Sequence, residues 1–421
     1  MSVEPSGPEG QKIPASIGGS DRLAVGFSCL GHFFVHFFEP TFFVVALVLP
    51  TVLGISYEAV LALVVAGKVL LGLAAPLAGW LGDRWGATRL MLIYFLGLGA
   101  AGIACGLGST SWELGVALTA LGLFGSIYHP VGIAWLVRTA HSQGKALGVN
   151  GIFGSLGPAV AGVVAGALTE WVSWRAAFLV PGSLAIVTGA VFWLSLRKGW
   201  VVNGEVRTRA VVAVQKGDTV RAFMVLALGM LVGGLVYQST QAALPKVFDD
   251  RLFGFLGGGT VGPGTAVMLV YGFSACFQLV AGHLADRFSL KWVYLLAWLV
   301  QGPLLAMAAW ATGAPLVGVA MLMVTFNTST LPAENMLLAR YTPEKWRGTA
   351  YGLKFVLNFG MAALAVPVVG MVRAATGDLT ALFVVLAALA GMVALAAFAL
   401  PTMSGNKEGR SQMETAKAGR S

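Results

Sequence analysis

The sequence has few charged residues. Asp, Glu, Lys and Arg make up 11% of its 421 residues, whereas 57% are hydrophobic. Soluble domains carry about 25% charged residues, so this composition excludes an ordinary soluble globular protein. Apolar stretches of roughly 20 residues, the length that a helix needs to cross a bilayer, recur along the chain. The sequence therefore predicts an all-α membrane protein.

Cysteine and nucleotide-binding motifs are also scarce. The three cysteines, Cys29, Cys105 and Cys276, lie inside apolar stretches and lack the spacing of metal ligands or of a disulfide framework. No Gly-Lys pair is followed by Ser or Thr, so the phosphate-binding loop of ATPases is missing. No nucleophile–base pair stands out. We therefore expect a protein that is not an enzyme and that has no cofactor.

Hydropathy predicts twelve membrane spans, separated six and six by a polar stretch at 197–219. This stretch is too short for a folded domain, so it is interpreted as a linker. The predicted domains are an N-terminal tail 1–21, a six-helix bundle 22–196, the linker 197–219, a second six-helix bundle 220–401 and a C-terminal tail 402–421. The spans are 22–51, 58–81, 89–108, 112–138, 146–169, 174–196, 220–246, 262–284, 291–311, 315–339, 348–373 and 378–401.

The basic residues predict the orientation. Loops and tails on one side of the membrane hold 21 of the 27 Lys and Arg residues, and two more lie within spans. Only Arg175, Lys246, Arg251 and Arg373 lie in loops on the other side. Because cytoplasmic loops are enriched in Lys and Arg, both termini are expected to be cytoplasmic, in the inner membrane of a bacterial-type cell. This placement also explains the net charge of +9 without a nucleic-acid partner.

A charged turn occurs twice, half a chain apart. Residues 79–89 read GWLGDRWGATR, and residues 282–291 read GHLADRFSLK, 203 residues later. A second match, QGKALG at 143–148 and RGTAYG at 347–352, has an offset of 204. Two matches at nearly one offset predict two homologous halves around a central cavity, which is the architecture of secondary transporters.

The first charged turn resembles the loop motif of the major facilitator superfamily, G-x-L-x-D-R-x-G-R-(R/K). Ala87 replaces one usual Arg, and the resemblance extends from Asp21 to Pro401. It implies the major facilitator fold, with twelve transmembrane helices in two pseudo-symmetric six-helix bundles. The matching positions are Gly79, Leu81, Asp83, Arg84, Gly86 and Arg89.

Three further segments bear on the branch of the superfamily. Residues 125–130 in span four, residues 153–158 in span five and His32 in span one are similar to the fosmidomycin-resistance-like branch. The run from Gly157 to Gly162 partly matches the span-five motif of proton-driven drug antiporters. Leu121, however, stands roughly where many antiporters carry an Arg in span four, which argues against a general multidrug mechanism.

The charged turns are candidates for a gate. In a transporter of this kind such a turn can lock the two halves together in one conformation, whereas a turn that only directs membrane insertion would need no fixed glycines. Asp83 would face the positive end of a helix dipole, and the arginines would pair with acidic groups or lipid phosphates. The candidate gating residues are Asp83, Arg84, Arg89, Asp286 and Arg287.

Four ionisable residues inside spans predict two ion pairs. A charged side chain costs about 2.5–3.5 kcal/mol at the centre of a membrane helix, so it usually faces a partner or a cavity. Glu39 and Lys68 lie at similar depths in spans one and two, and Glu334 and Lys354 lie at similar depths in spans ten and eleven. Either pair could serve transport or could simply fix helix packing.

Histidines and a broken helix mark the expected cavity. His32, His36 and Glu39 recur at i, i+4 and i+7, so they share one face of span one. This face could carry protons, form structural hydrogen bonds or bind zinc, although no third zinc ligand is evident. The pair His129-Pro130 should break span four, beside a substrate or as a simple kink. Further candidates are Tyr128, Asn327, Glu334 and Asn335, with Tyr237, Gln238 and Gln241 in span seven.

These features predict a secondary active transporter that exports a small organic compound, with the proton gradient as its energy source. Its partners would be the compound, protons and the lipid bilayer, and a monomer is expected. Uptake or exchange of an organic anion is an alternative, because two membrane lysines and several histidines could complement a carboxylate or phosphonate. A sensor or scaffold that transports nothing is a third possibility.

Overall fold

The computed structural model describes residues 17–140, 143–203, 219–253, 255–342, 353–354, 356–358 and 360–401. In these ranges the chain is helical and has no strand. The helices are Ile17–Val45, Leu49–Leu53, Tyr57–Ala62, Val65–Leu73, Ala75–Trp85, Ala87–Leu107, Ser111–Gly125, Ile133–Thr139, Gln143–Trp171, Ala176–Arg197, Thr219–Arg251, Val261–Arg287, Leu290–Trp310, Gly313–Tyr341, Ala362–Thr376 and Thr380–Ala397.

Within the described ranges, eleven helices are long and apolar enough to span a membrane, and a bent pair supplies the twelfth span. The predicted all-α fold with twelve spans in two bundles is confirmed. Residues 1–16 of the N-terminal tail, the C-terminal tail and most of the linker lie outside the described residues, as do residues 347–352 of the second repeat. The first helix begins at Ile17, within the predicted tail, although its apolar part starts at Arg22.

Two spans end or bend earlier than hydropathy suggested. The first helix stops at Val45, and a separate short helix begins at Leu49 with Pro50 in its first turn. Span two is broken at Ala74, where its two parts meet at 47° and Pro76 opens the second part. Proline lacks a backbone N–H and disfavours a helical conformation in the residue before it, so each break occurs where a proline starts a new helix.

Span four is interrupted, as the His129-Pro130 pair predicted. The interruption is a π-helical turn over Tyr128–Gly132, between the helices Ser111–Gly125 and Ile133–Thr139. The wider turn accommodates the proline, which cannot donate to the carbonyl group one turn back. Single π-turns inside α-helices are common at functional sites, so this segment is a candidate part of the site.

Glycines set the closest helix crossings. A Cβ atom on Gly122 would collide with the backbone of Gly67, and one on Gly67 would collide with the carbonyl oxygen of Leu118. Spans two and four therefore touch backbone to backbone. Small residues at helix interfaces allow this approach in lipid, where packing drives helix association. Across the two halves, Gly162 of span five and Gly264 of span eight make a similar contact.

The two halves meet mainly through spans five and eight and through spans two and eleven. For orientation, the side of the membrane that carries most basic loops is called the basic side, and the other is the opposite side. Gly166, Glu170, Thr260 and Val261 join spans five and eight at their opposite-side ends. In the described residues, hydrogen bonds between spans five and eight thus join the two halves at the opposite side.

Candidate functional site

Glu39 and Lys68 form a buried ion pair, at the depth where the sequence predicted it. Their side chains are 8% and 5% exposed. The pair also reaches the second half of the chain, because Lys68 Nζ donates to Gln238 Oε1 at 3.4 Å. The Gln241 amide, in the orientation that matches donors to acceptors, donates through Nε2 to both carboxylate oxygens of Glu39, at 2.8 and 3.1 Å. These four residues are called the interface quartet.

The interface quartet adjoins a pocket in the first half. Glu39 and Lys68 line it together with Gly67, Gly122 and Gly125, and its volume is about 60 Å³. Apart from Glu39 and Lys68, the lining consists of apolar side chains and glycines, so the pocket is a small and mainly apolar space beside the ion pair. The pocket is too small for an organic substrate.

Glu334 and Lys354 form the second predicted pair, with Nζ and Oε1 2.7 Å apart. Lys354 also donates to Asn335 Oδ1 at 2.6 Å, and the hydroxyl of Tyr294 donates to Glu334 Oε2 at 3.4 Å. All these partners belong to the second half of the chain. Asn327 lies two turns from Glu334 on the same face of span ten and is buried.

Three histidines lie close together: His32 and His36 of span one, and His129 of span four. The sequence did not indicate that His129 joins the other two. His36 and His129 approach His32 closely, and the ligand nitrogens of the three rings all lie within 4.8 Å of one another. Tyr128 stacks on His32 with ring centroids 5.1 Å apart. The three histidines are called the histidine cluster. The candidates from spans one and four thus form one site.

Asn150 of span five holds this cluster in place and was missed by the sequence analysis. Its carbonyl oxygen is 2.8 Å from His32 Nδ1, and its Nδ2 donates to the hydroxyl of Tyr128 at 2.8 Å and to Ser28 Oγ at 3.3 Å. A single Asn in an otherwise apolar span does indicate a buried hydrogen bond. Its partners depend on helix rotation, which the sequence does not specify.

The first charged turn pairs within its own half. Asp83, whose side chain is 78% exposed, lies 3.6 Å from Arg138 at the end of span four. Arg84 lies over the ring of Trp80, with the guanidinium carbon 5.7 Å from the ring centroid. Arg89, Asp286 and Arg287 are exposed. The locking role of these residues stays a prediction.

The start of the predicted linker is attached to the same turn. Asn203 Oδ1 accepts hydrogen bonds from the backbone N–H of Thr88 at 3.0 Å and from its hydroxyl at 2.8 Å. Trp135 Nε1 donates to the carbonyl oxygen of Val202 at 2.9 Å. The first N–H groups of a helix have no partner within the helix. Asn203 therefore supplies an acceptor for one of them at the start of span three. Gly86 has φ +91°, and a Cβ there would press on the Asn203 amide.

In the described residues, two further contacts help to close the opposite side, beside the hydrogen bond from Thr260 to Gly166. Tyr57 of span two lies near Lys246 and Arg373 of the second half, whose charged groups are 6.0 and 5.8 Å from its ring centroid. Glu170 Oε2 accepts from the backbone N–H of Val261, at the first turn of span eight, at 3.1 Å. A carboxylate is stabilised at a helix N-terminus by unpaired N–H groups and by the helix dipole.

We expect Glu170→Gln to loosen this closed side. The variant keeps a hydrogen-bond acceptor but removes a charge–dipole interaction of about 0.3–1 kcal/mol, so the open population should rise roughly 2- to 5-fold. Trp171 and Phe253 are both exposed, one in each half, and spin labels on cysteines introduced at these positions would report the distance between the halves. The C276S background removes the exposed native cysteine, which would otherwise be labelled too. Glu113→Gln is the control, because the described hydrogen bonds of Glu113 are to Ser109 and Thr110 of its own half. Equal distance distributions in E170Q and E113Q would contradict the prediction.

Curated relatives are transporters of several kinds. The chain is 27% identical over 264 residues to the maltose permease of Geobacillus stearothermophilus, which covers 62% of this chain and 64% of the relative. It is 29% identical over 241 residues to an uncharacterised MFS-type transporter of Mycobacterium tuberculosis, covering 50% and 41%. It is 32% identical over 137 residues to the tetracenomycin C resistance and export protein of Streptomyces glaucescens, covering 30% and 25%. The chain thus spans less than two thirds of each of these relatives.

Solved structures share the fold. A D-xylose–proton symporter superposes with a TM-score of 0.72 at 16% identity, over 92% of this chain and all of the symporter. A bacterial homologue of the lysosomal transporter Spinster superposes with a TM-score of 0.67 at 14% identity, over 92% and 95%. At these identities the likeness concerns the fold alone. The sequence model of the Major Facilitator Superfamily matches residues 28–273 and 263–420, and the chain therefore belongs to this superfamily of membrane transporters.

Proposed function

We propose that this transporter exports a small organic compound in exchange for protons, by alternating access across the cytoplasmic membrane. One observation carries the proposal. The interface quartet joins a buried carboxylate and a buried ammonium group of the first half to two amides of the second half. An ionisable pair inside a membrane domain that bonds across the moving interface is suited to couple protonation to movement.

The coupling follows from the charge on Glu39. As a carboxylate, it accepts from Lys68 and from the Gln241 amide. Once protonated, it has no negative charge and its hydrogen bonds to both donors weaken, because charge-assisted hydrogen bonds are roughly twice as strong as neutral ones. The contact between the halves therefore depends on whether Glu39 holds a proton. A proton that binds one conformation better than the other shifts the balance between them.

Export is supported by two similarities. The chain resembles the tetracenomycin C resistance and export protein over part of its length, and Gly157–Gly162 partly matches the antiporter motif of span five. Uptake or exchange of an organic anion is the second candidate, favoured by the buried Lys68 and Lys354. The fosmidomycin-resistance-like branch remains a prediction and makes phosphonates the first compounds to test.

The orientation is part of the proposal. Most Lys and Arg residues lie on the basic side, which the positive-inside rule assigns to the cytoplasm. Both termini would then be cytoplasmic and the protein would lie in the inner membrane as a monomer. In this orientation the described contacts of Tyr57 and Glu170 close the external side, so the described conformation would face inward.

The proposal is tested in liposomes that contain the purified protein and a pH-sensitive dye. An acid-outside gradient is imposed, with each phosphonate, drug or organic acid placed either inside or outside the vesicles. An antiporter moves protons inward only when its compound leaves, so acidification should require the compound inside. A symporter would require the compound outside. The placement of the compound thus separates the two mechanisms, whichever way the protein is oriented in the vesicles.

The remaining outcomes are equally informative. Labelled compound that crosses without proton movement would overturn proton coupling and support anion exchange or uniport. Acidification that requires the compound outside would overturn export and support uptake. If neither protons nor any labelled compound of the panel cross, the chain is better described as a sensor or scaffold.

A further inference from the structure

The histidine cluster brings together residues that are far apart in the chain. His32 and His36 lie one turn apart on span one, and His129 lies in the π-turn of span four. The ring centroids are 5.0 Å apart for His32 and His36, 5.2 Å for His36 and His129, and 5.6 Å for His32 and His129. Three of the five histidines of the chain therefore converge on one point.

The surroundings hold the His32 ring in the manner of a metal ligand. With its proton on Nδ1, His32 donates to the carbonyl oxygen of Asn150 at 2.8 Å, which leaves Nε2 as a lone-pair donor. Metal-binding histidines almost always donate their other ring N–H to a carbonyl or carboxylate in this way. Stacking on Tyr128, itself bonded to the Asn150 amide, fixes the plane of the ring.

Span five leaves just enough room for the cluster. A Cβ atom on Gly154 would collide with the His32 ring, and a Cβ on Gly157 would lie 3.1 Å from Cβ of His36. Glycine at both positions therefore lets span five lie directly against the His32 ring and against the backbone of span one at His36. His32 and His36 are half-buried and His129 is 8% exposed, so the cluster is enclosed but still reachable.

The donor set selects the class of ion. Three imidazoles suit zinc, nickel, cobalt or copper, whereas magnesium and calcium prefer oxygen ligands. Zinc–nitrogen bonds of about 2.0–2.1 Å place tetrahedral ligand nitrogens roughly 3.4 Å apart, so the described spacing closes by small side-chain rotations. Lys68, a cation whose charge acts on His36, is neutralised by its ion pair with Glu39, which lies one turn beyond His36.

We propose that His32, His36 and His129 bind a divalent transition-metal ion. Three protein ligands leave a fourth position, which water or an anionic group of a substrate can occupy, as in catalytic zinc sites. This site goes beyond the proposed function, since it requires neither proton coupling nor a particular direction of transport. Its position on span one, one turn from Glu39, places the ion beside the interface quartet.

Metal binding is tested on the purified full-length chain, prepared without a polyhistidine tag and stripped with a chelator. Zinc is titrated in competition with a chromophoric chelator, and cobalt is added separately because its visible absorption reports tetrahedral nitrogen coordination. We expect one equivalent to bind. His36→Gln should weaken zinc binding about 100-fold or more, since removing a ligand costs more than the 10- to 100-fold loss seen for outer-shell partners.

His283→Gln is the matched control, because His283 is exposed at the basic end of span eight, in the other half of the chain. It should bind zinc like the unmodified protein. His32→Gln is a second variant in case His36→Gln does not fold, and elution volume and thermal melting check the fold of each. Zinc binding that survives both cluster substitutions, or that His283→Gln weakens equally, would overturn the proposal. So would binding only at millimolar zinc. None of these readouts depends on transport.

Discussion

Replacing Glu39 with glutamine is expected to abolish compound-dependent proton movement. Glutamine has nearly the same shape but cannot take up or release a proton. It would leave Lys68 without its carboxylate partner and remove the charge that Gln241 contacts across the two halves. In the liposome assay, compound-driven acidification should fall to the level of protein-free vesicles. Movement of labelled compound down its own gradient should persist.

Two further substitutions make the Glu39 result specific. Glu334→Gln removes the carboxylate of the second ion pair, whose described partners all lie in the second half, so the ratio of protons to compound should stay unchanged in this variant. Glu113→Gln changes an exposed glutamate whose described hydrogen bonds are to its own loop, and it should behave as the unmodified protein. Proton movement that survives Glu39→Gln at the original ratio would remove Glu39 from the mechanism.

Depth in the membrane made the two ion pairs predictable. A charged residue inside a span needs a partner, and only residues at the same level can reach it. Glu39 had one lysine at its depth in the first half, and Glu334 had one in the second. Depth follows from position along a span and does not depend on helix rotation, so both pairs could be predicted.

Rotation and helix breaks were the parts that the sequence left open. Spacing placed His32 and His36 on one face, but whether that face meets His129 depends on how span one is turned towards span four. The π-turn decides this, because it changes the direction of the side chains that follow Tyr128. Asn150 and Asn203 were missed for a similar reason, since one carries its side chain across to span four and the other reaches span three from the linker.

Gly122→Ala adds a single methyl group, and it is nevertheless expected to destabilise the protein strongly. The added Cβ would meet the backbone of Gly67, which cannot move aside as a side chain can. Spans two and four would have to separate, and the cost should reach or exceed the upper end of the about 1–3 kcal/mol typical of overpacking. The melting temperature of the purified protein should fall by several degrees.

The same substitution should also affect transport, because Gly122 and Gly67 line the pocket beside Lys68. Separation of spans two and four would shift Lys68 relative to Glu39 and Gln238, and compound-driven acidification should fall in protein that remains folded. Gly318→Ala is the matched control, since Gly318 lies in span ten with no atom within 4 Å of its added Cβ. It should keep or slightly raise the melting temperature, because alanine is favoured over glycine in helices by roughly 0.5–1 kcal/mol. If Gly122→Ala melts no lower than Gly318→Ala, the backbone contact between spans two and four does not set the packing of the first half.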